Sequence, residues 1–225
     1  MRGQHENIEW RAGDVPVSSR FDDPYFSLDN GLAETTHVFL TGNGLPQRFF
    51  DGFHIAELGF GTGLNLLATL DQWRQGNQPG VLHFTSFEAY PMQADEMIRA
   101  QAAFPTLAGI AADLAPFWAS DAVKITLPDL HFTLITGDAR KTLPQWQGRA
   151  DAWFLDGFSP AKNPELWQPD LMAEVYNHTA SHGTAATYTA AGFVRRGLED
   201  AGFNVTRAPG YGRKRHMTQA TKANP

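Results

Sequence analysis

The sequence has 225 residues, 42% hydrophobic and 19% charged, a balance that fits one globular domain with a buried core and excludes a low-complexity chain. A formal charge of -6 argues against a protein that coats nucleic acid through its general field, and the absence of Cys excludes disulfides, thiolate metal ligands and cysteine nucleophiles. The polar opening MRGQHENIEWRAGD lacks the apolar run of a secretory signal, and no segment has the length of a bilayer span, so a cytoplasmic protein is expected.

Residues 1–50 are turn-rich and aromatic, as in SSRFDDPYFSLDNGL, and read as an N-terminal extension packed on a core formed by 51–225. Within the extension, His37–Leu40 is expected to form a short strand before an Asn-Gly pair. Regular alternation then begins. Phe53–Leu58 reads as a strand and Leu64–Trp73 as a helix, Leu82–Ala89 as a strand and Met92–Phe104 as a helix, with a further helical stretch to Trp118. Strands at His131–Asp138 and Ala150–Gly157 each end at an Asp or just past one, and helical sequence runs from Glu165 to about His178. A fifth strand at Gly183–Ala190, a helix at Phe193–Phe203 and the pair FNVTRAP/HMTQATK around GYGRKR complete the pattern. This predicts an α/β, Rossmann-like, doubly wound and mostly parallel sheet with an antiparallel terminal strand, whose ligands bind outside the carboxyl ends of the strands.

Between the first core strand and its helix lies ELGFGTGLN, Glu57 to Asn65. Gly59, Gly61 and Gly63 allow a tight turn and close approach of a ligand to a helix N-terminus. The spacing is not the G-x-G-x-x-G of a dinucleotide fingerprint, which weakens a nicotinamide or flavin reading. Glu57 would repel a diphosphate but suits a cofactor carrying an ammonium and a sulfonium, so S-adenosyl-L-methionine is the expected ligand, with Ala139 and Asn65 among its neighbours. Glu88, ending the next strand, is placed to accept from ribose hydroxyls, or is a solvated carboxylate. Asp138 either bonds an adenine amino group or caps the helix that begins near Arg140.

Asp156 ends the fourth strand in WFLDGFSPAKNPELW, where Phe158, Pro160, Asn163 and Pro164 would form a rigid, partly aromatic pocket. Methyl transfer from a sulfonium is a direct displacement that needs alignment and an unprotonated nucleophile, so Asp156 is the candidate for orienting an amine and taking its proton; the alternative is a helix cap. His178 and His182, four apart, would share a helix face, but without acidic partners they read as C-terminal histidines rather than metal ligands, and no metal is expected. From Phe203 to Pro225 there are five basic side chains and no acidic one, and Arg213, Lys214 and Arg215 are candidates for phosphate contact, a solvated hairpin tip being the alternative.

These segments together resemble the MnmC-type tRNA 5-methylaminomethyl-2-thiouridine methyltransferases, through DPYFS, GLAETTHVFLTGNGL, ELGFGTGLN, SFEAYP, ITGDAR, DGFSPAKNPELW, TYTAAGFVRRGLEDAGF and GYGRKRHM. The resemblance implies a class I methyltransferase fold and methylation of the amine of 5-aminomethyluridine at the tRNA wobble position, with Glu57, Gly59, Gly61, Gly63, Glu88 and Asp138 at the cofactor and Asp156 through Asn163 at the target amine. The partner would be a tRNA anticodon loop. Many members carry a C-terminal flavin-dependent domain that prepares the aminomethyl group, absent from this sequence, so a separate enzyme is expected to supply it. An N-methyltransferase of small amines, a non-catalytic S-adenosylmethionine- and RNA-binding protein and, more distantly, a nicotinamide oxidoreductase are the rival readings.

Overall fold

A computed structural model describes residues 7–11, 14–27 and 30–223; much of the polar opening, residues 1–6 and 12–13, lies outside them. The extension contains more regular structure than its turn-rich sequence suggests. Strands β1 (Ile8–Arg11), β2 (Val15–Ser18) and β3 (Asp23–Pro24) form a small antiparallel sheet in that order. Helix α1 (Gly31–Thr35) follows, its first turn closed by Asn30, whose side chain accepts from the Ala33 amide at 2.9 Å.

The predicted strand at His37–Leu40 is instead helical: the chain continues from α1 through a wide π-type turn, Thr36–Leu40, and a tight turn, Thr41–Asn43, that ends at Gly44 with φ 69°. A four-residue apolar run does not distinguish strand from buried helix by its own period. Here the Asn30 cap starts a helix that carries the run into the core, where Val38, Phe39 and Leu40 are buried.

The core elements are β4 (His54–Leu58), α2 (Leu64–Gln75), β5 (Leu82–Glu88), α3 (Ala94–Gln101), α4 (Ala108–Ala119), β6 (Lys124–Thr126), β7 (Leu130–Thr136) and α5 (Ala139–Thr142). They continue with β8 (Ala150–Leu155), α6 (Pro169–Asn177), β9 (Thr179–Thr187), α7 (Gly192–Ala201), β10 (Asn204–Pro209) and β11 (His216–Thr221). The main sheet has eight strands in the order β10-β11-β9-β8-β4-β5-β7-β6. Strands β4, β5, β7, β8 and β9 are mutually parallel; β11 runs antiparallel to β9 and β10, and β6 antiparallel to β7.

Helices cover both faces, so the central strands are buried along their length rather than on alternate residues: Ile55–Leu58 and Ala152–Leu155 are all buried, and Glu57 is the one charged side chain among them. On one face Leu66, Leu67, Leu70 and Trp73 of α2 and Leu114 and Trp118 of α4 pack on Phe84, Phe132 and Phe154. On the other, Leu171, Met172 and Val175 of α6 and Val194 and Leu198 of α7 pack on Trp153 and Leu155. Strand order reverses at β4, which has β5 on one side and β8 on the other, and that is where a ligand crevice opens in such folds.

Further details differ from the sequence pattern. The edge strand β6 was not expected, α3 is shorter than Met92–Phe104, and a short 3-10 turn at Pro164–Trp167 precedes α6. Strand β9 begins at Thr179, four residues early, with an irregular register near Ala150 and a left-handed His182, φ 61°. His178 and His182 therefore do not share a helix face. His178 follows α6 and its ring nitrogens bond the Glu174 and Trp146 carbonyl oxygens at 2.9 and 2.8 Å, while His182 lies in the strand.

Candidate active site

The ELGFGTGLN loop leaves β4 at the reversal point and crosses over the end of β8. A side chain at Gly59, φ 89°, would place its Cβ 2.0 Å from the Asp156 carbonyl oxygen, and one at Gly61, φ 54°, would meet the Tyr25 ring at 2.9 Å. Absence of a side chain thus allows the loop both its left-handed turns and its contact with two other segments.

Beneath the loop, Glu57 is completely buried, and Asn65 on the first turn of α2 is nearly so. The Asn65 amide nitrogen donates to Glu57 Oε1 at 2.8 Å and to Asp156 Oδ2 at 2.7 Å. Ser86 Oγ donates to Glu57 Oε2 at 2.6 Å. Burial pushes the Glu57 carboxyl well above its usual range; the Ser86 and Asn65 bonds oppose this, and the Asp156 and Glu88 charges add to it. With both amide hydrogens spent on carboxylates, Asn65 must turn its Oδ1 the other way. That atom is buried and has no partner, a free acceptor beside the glycine loop.

Glu88, at the end of β5, binds the loop itself: Oε2 accepts from the Phe60 and Gly61 amides at 3.0 and 3.2 Å, and Oε1 from the Tyr90 amide at 2.8 Å. Asp138 is the cap of α5, accepting from the Arg140 amide at 3.0 Å, and its carboxylate is gripped by the Arg140 guanidinium, Nη2 to Oδ2 2.8 Å. That grip, ahead of the backbone bond, holds the Asp138 carboxyl below its usual range.

Asp156 is raised from 3.8 to about 7, first by burial, with the Asn65 bond opposing, the Glu34 charge raising and the Lys214 charge lowering it. It is a carboxyl poised between acid and base near neutral pH, the condition that suits proton transfer at working pH.

A cavity of about 1100 Å³ joins these groups. Its wall includes Gly59, Gly61, Asn65, Glu88, Asp138, Ala139, Asp156, Phe158, Asn163, Arg213 and Lys214. Four residues singled out from the sequence are not part of the wall: Glu57 lies under it, Gly63 caps α2, and Pro160 and Arg215 sit outside it. Lys214 points inward, Nζ to Glu34 Oε1 2.6 Å and 4.2 Å from the centre of the Tyr188 ring, rather than standing free at a hairpin tip.

Sequence reading missed the roof. Phe158 stacks on Phe21 at 4.8 Å and meets Tyr25 edge-on at 5.0 Å. The Ser159 amide donates to Asp23 Oδ2 at 2.9 Å, and Lys162 Nζ donates to the Asp22 backbone oxygen. Arg20 lies 4.1 Å over the Tyr90 ring. Tyr188 Oη donates to the Gly157 oxygen at 2.7 Å, and burial together with the Asp156 charge keeps this phenol un-ionised by raising it. The only sequence signal for the roof was the aromatic, acidic run RFDDPYF, which reads as surface turn until its partner 136 positions away is known.

Among the described residues no three His, Asp or Glu side chains are grouped to hold a metal, and no single helix is long and apolar enough to cross a membrane. A family model described as S-adenosyl-L-methionine-dependent methyltransferase matches residues 106–223. A tRNA 5-methylaminomethyl-2-thiouridine biosynthesis bifunctional protein MnmC from Caulobacter vibrioides is 47% identical over 221 residues, 95% of this chain and 37% of its own length. One of the same name from Vibrio cholerae is 47% identical over 95% of this chain and 34% of its own. The chain thus spans about a third of the length of the curated relatives it matches. The crystal structure of MNMC2 from Aquifex aeolicus superposes with a TM-score of 0.81 at 26% identity, over the whole of this chain and 72% of that one.

Proposed function

The chain belongs to the S-adenosyl-L-methionine-dependent methyltransferases, and from that premise we propose that it methylates the primary amine of 5-aminomethyl-(2-thio)uridine at the wobble position of tRNA, giving the 5-methylaminomethyl product. S-adenosyl-L-methionine is the cofactor; when bound it supplies an electrophilic methyl group on a sulfonium. The residues fit it: the orphaned Asn65 Oδ1 is an acceptor for its ammonium, the side-chain-free edge of Gly59 and Gly61 gives it room, and the Glu88 carboxylate on the cavity wall suits ribose hydroxyls. Asp138 and Ala139 flank the adenine end of this arrangement. Glu57 acts through Asn65, fixing which way its amide faces.

The observation that carries the reading is Asp156, a carboxyl raised to about 7 and tied by Asn65 to the floor of the cofactor loop. An alkylammonium has no free pair to attack with. In its ionised form Asp156 accepts the ammonium proton, the N–H bonding pair stays on nitrogen, and the amine becomes nucleophilic beside the glycine loop. Phe158, stacked on Phe21, offers the flat apolar surface on which a pyrimidine rests, with Asn163 next to it on the wall. Arg213 at the mouth suits backbone phosphate. The names of the curated relatives support the tRNA substrate; the reaction would take place in the cytoplasm, where tRNA is, on an aminomethyl group that a separate enzyme would supply.

The test is incubation with methyl-labelled S-adenosyl-L-methionine and tRNA isolated from cells blocked before the final methylation, followed by nucleoside identification. Label in 5-methylaminomethyl-2-thiouridine is the expected result. Label in another nucleoside, or transfer only to free small amines, overturns the substrate.

A further inference from the structure

In the wall of the cavity, an alkylammonium is already bound. Lys214 Nζ sits against Glu34 Oε1 at 2.6 Å and over the face of Tyr188 at 4.2 Å, the two partners that desolvated ammonium groups favour, a carboxylate and an aromatic ring. The two halves of the pair differ in how they are held. Glu34, on α1 of the extension, is 15% exposed, whereas Lys214 is 46% exposed and reaches in from the turn between β10 and β11. The carboxylate is the more deeply set half of the pair, and the lysine the more exposed one.

Tyr188 is fixed in the wall by its hydroxyl, which donates to the Gly157 oxygen, one residue from Asp156. The Asp156 carboxyl senses both charges, Glu34 raising and Lys214 lowering its acidity range. The subsite and the proton acceptor therefore occupy one electrostatic neighbourhood. Nothing in the cofactor reading uses Glu34 or the Tyr188 face.

We infer that Glu34 and the Tyr188 ring form the recognition subsite for the primary alkylammonium of the substrate, and that Lys214 is its built-in occupant, displaced when the substrate amine enters. The inference rests on the amine-methylating reading above. One ammonium replaces another, so the charge facing Asp156 is unchanged on entry. It changes only when a proton moves from substrate nitrogen to the Asp156 carboxylate, breaking N–H and forming O–H. A half-exposed ion pair is weak, so displacement costs little. Neutral isosteres of the amine gain nothing from leaving solvent for this place, which makes the lysine a selectivity filter as well as a plug.

A simple structural clasp between the turn and α1 predicts that breaking either partner has the same effect. The subsite predicts opposite effects. Methyl transfer to tRNA bearing 5-aminomethyluridine is measured for the wild-type chain, E34Q and K214M, with ethylammonium chloride as competitor and potassium chloride as the ionic control. Ethylammonium should inhibit competitively, about tenfold more potently in K214M and at least tenfold less potently in E34Q. Shifts in the same direction, or no inhibition beyond the potassium control in K214M, overturn the inference while leaving tRNA methylation standing. An inactive wild-type chain overturns the substrate reading and this inference with it. Circular dichroism melts check folding, and if E34Q does not fold, K214M alone decides.

Discussion

Asp156 meets two opposed demands. As a proton acceptor it must be ionised, yet burial resists ionisation and lifts it to about 7. Its folded value lies above the unfolded one, so the folded chain binds the extra proton between about pH 4 and 7, and stability falls as pH rises through that window. Asp156→Asn should therefore lower turnover by about 10²- to 10⁴-fold, the usual worth of a positioned base, and raise stability by about 2 kcal/mol at pH 8, read by denaturant unfolding. In the unaltered chain, kcat/KM should drop about tenfold per pH unit below about 7. A profile flat to pH 5.5 would remove the proton-accepting role. At this scale the sequence was informative where chemistry is local: Asp156, Asn65 and Glu88 sit at strand ends or beside the glycines. It was silent on Glu34 and Tyr188, whose meaning comes from a partner 180 positions away and from a hydroxyl bonded to the loop after β8.

Elements were legible in proportion to their periodicity. The parallel strands and α2, α6 and α7 stand out because buried β runs and amphipathic helices have distinct patterns. The strands β1, β2, β3 and β6 have two to four residues each, too few for any period to register. One feature of the parallel register is the row His54, His83 and His131 across β4, β5 and β7, with ring centres 5.7 and 5.0 Å apart, at the strand ends away from the cavity. Burial, and then the neighbouring His83, depress His54 to about 4. Its folded value lies below the unfolded 6.5, so stability is complete above pH 6.5 and is lost as pH falls from there towards 4. His54→Gln should flatten that acid limb by about 1 to 3 kcal/mol, followed by urea midpoints between pH 7 and 5. The glycine turn makes a separate demand at the same scale. Gly59→Ala places a methyl carbon against the Asp156 carbonyl and should raise the dissociation constant for S-adenosyl-L-methionine by at least tenfold, measured by calorimetry, or unfold the loop outright.

The molecule as a whole is acidic, with a basic C-terminal region at one end of the cavity. An acidic body repels RNA at a distance, so productive contact must be local. Arg213 and Arg215, unlike the inward-turned Lys214, remain candidates for phosphate. Replacing both with Ala should weaken tRNA binding and reduce the slope of log affinity against log salt by about 1 to 2, read by filter binding across a salt titration. An unchanged slope would move the RNA surface elsewhere.

The roof over the cavity also sets a timetable. Asp23 closes on Ser159 and Glu34 on Lys214, partners 136 and 180 positions further along the chain. At a synthesis rate of roughly 5–20 residues per second, the segment carrying Asp23 and Glu34 waits roughly 7 to 36 seconds for these partners. During that wait Phe21 and Tyr25 lack the Phe158 ring on which they pack. The roof is thus completed only after the loop that follows β8 has been made, and a ribosome that stalls before that loop emerges leaves an aromatic segment for chaperones to shield.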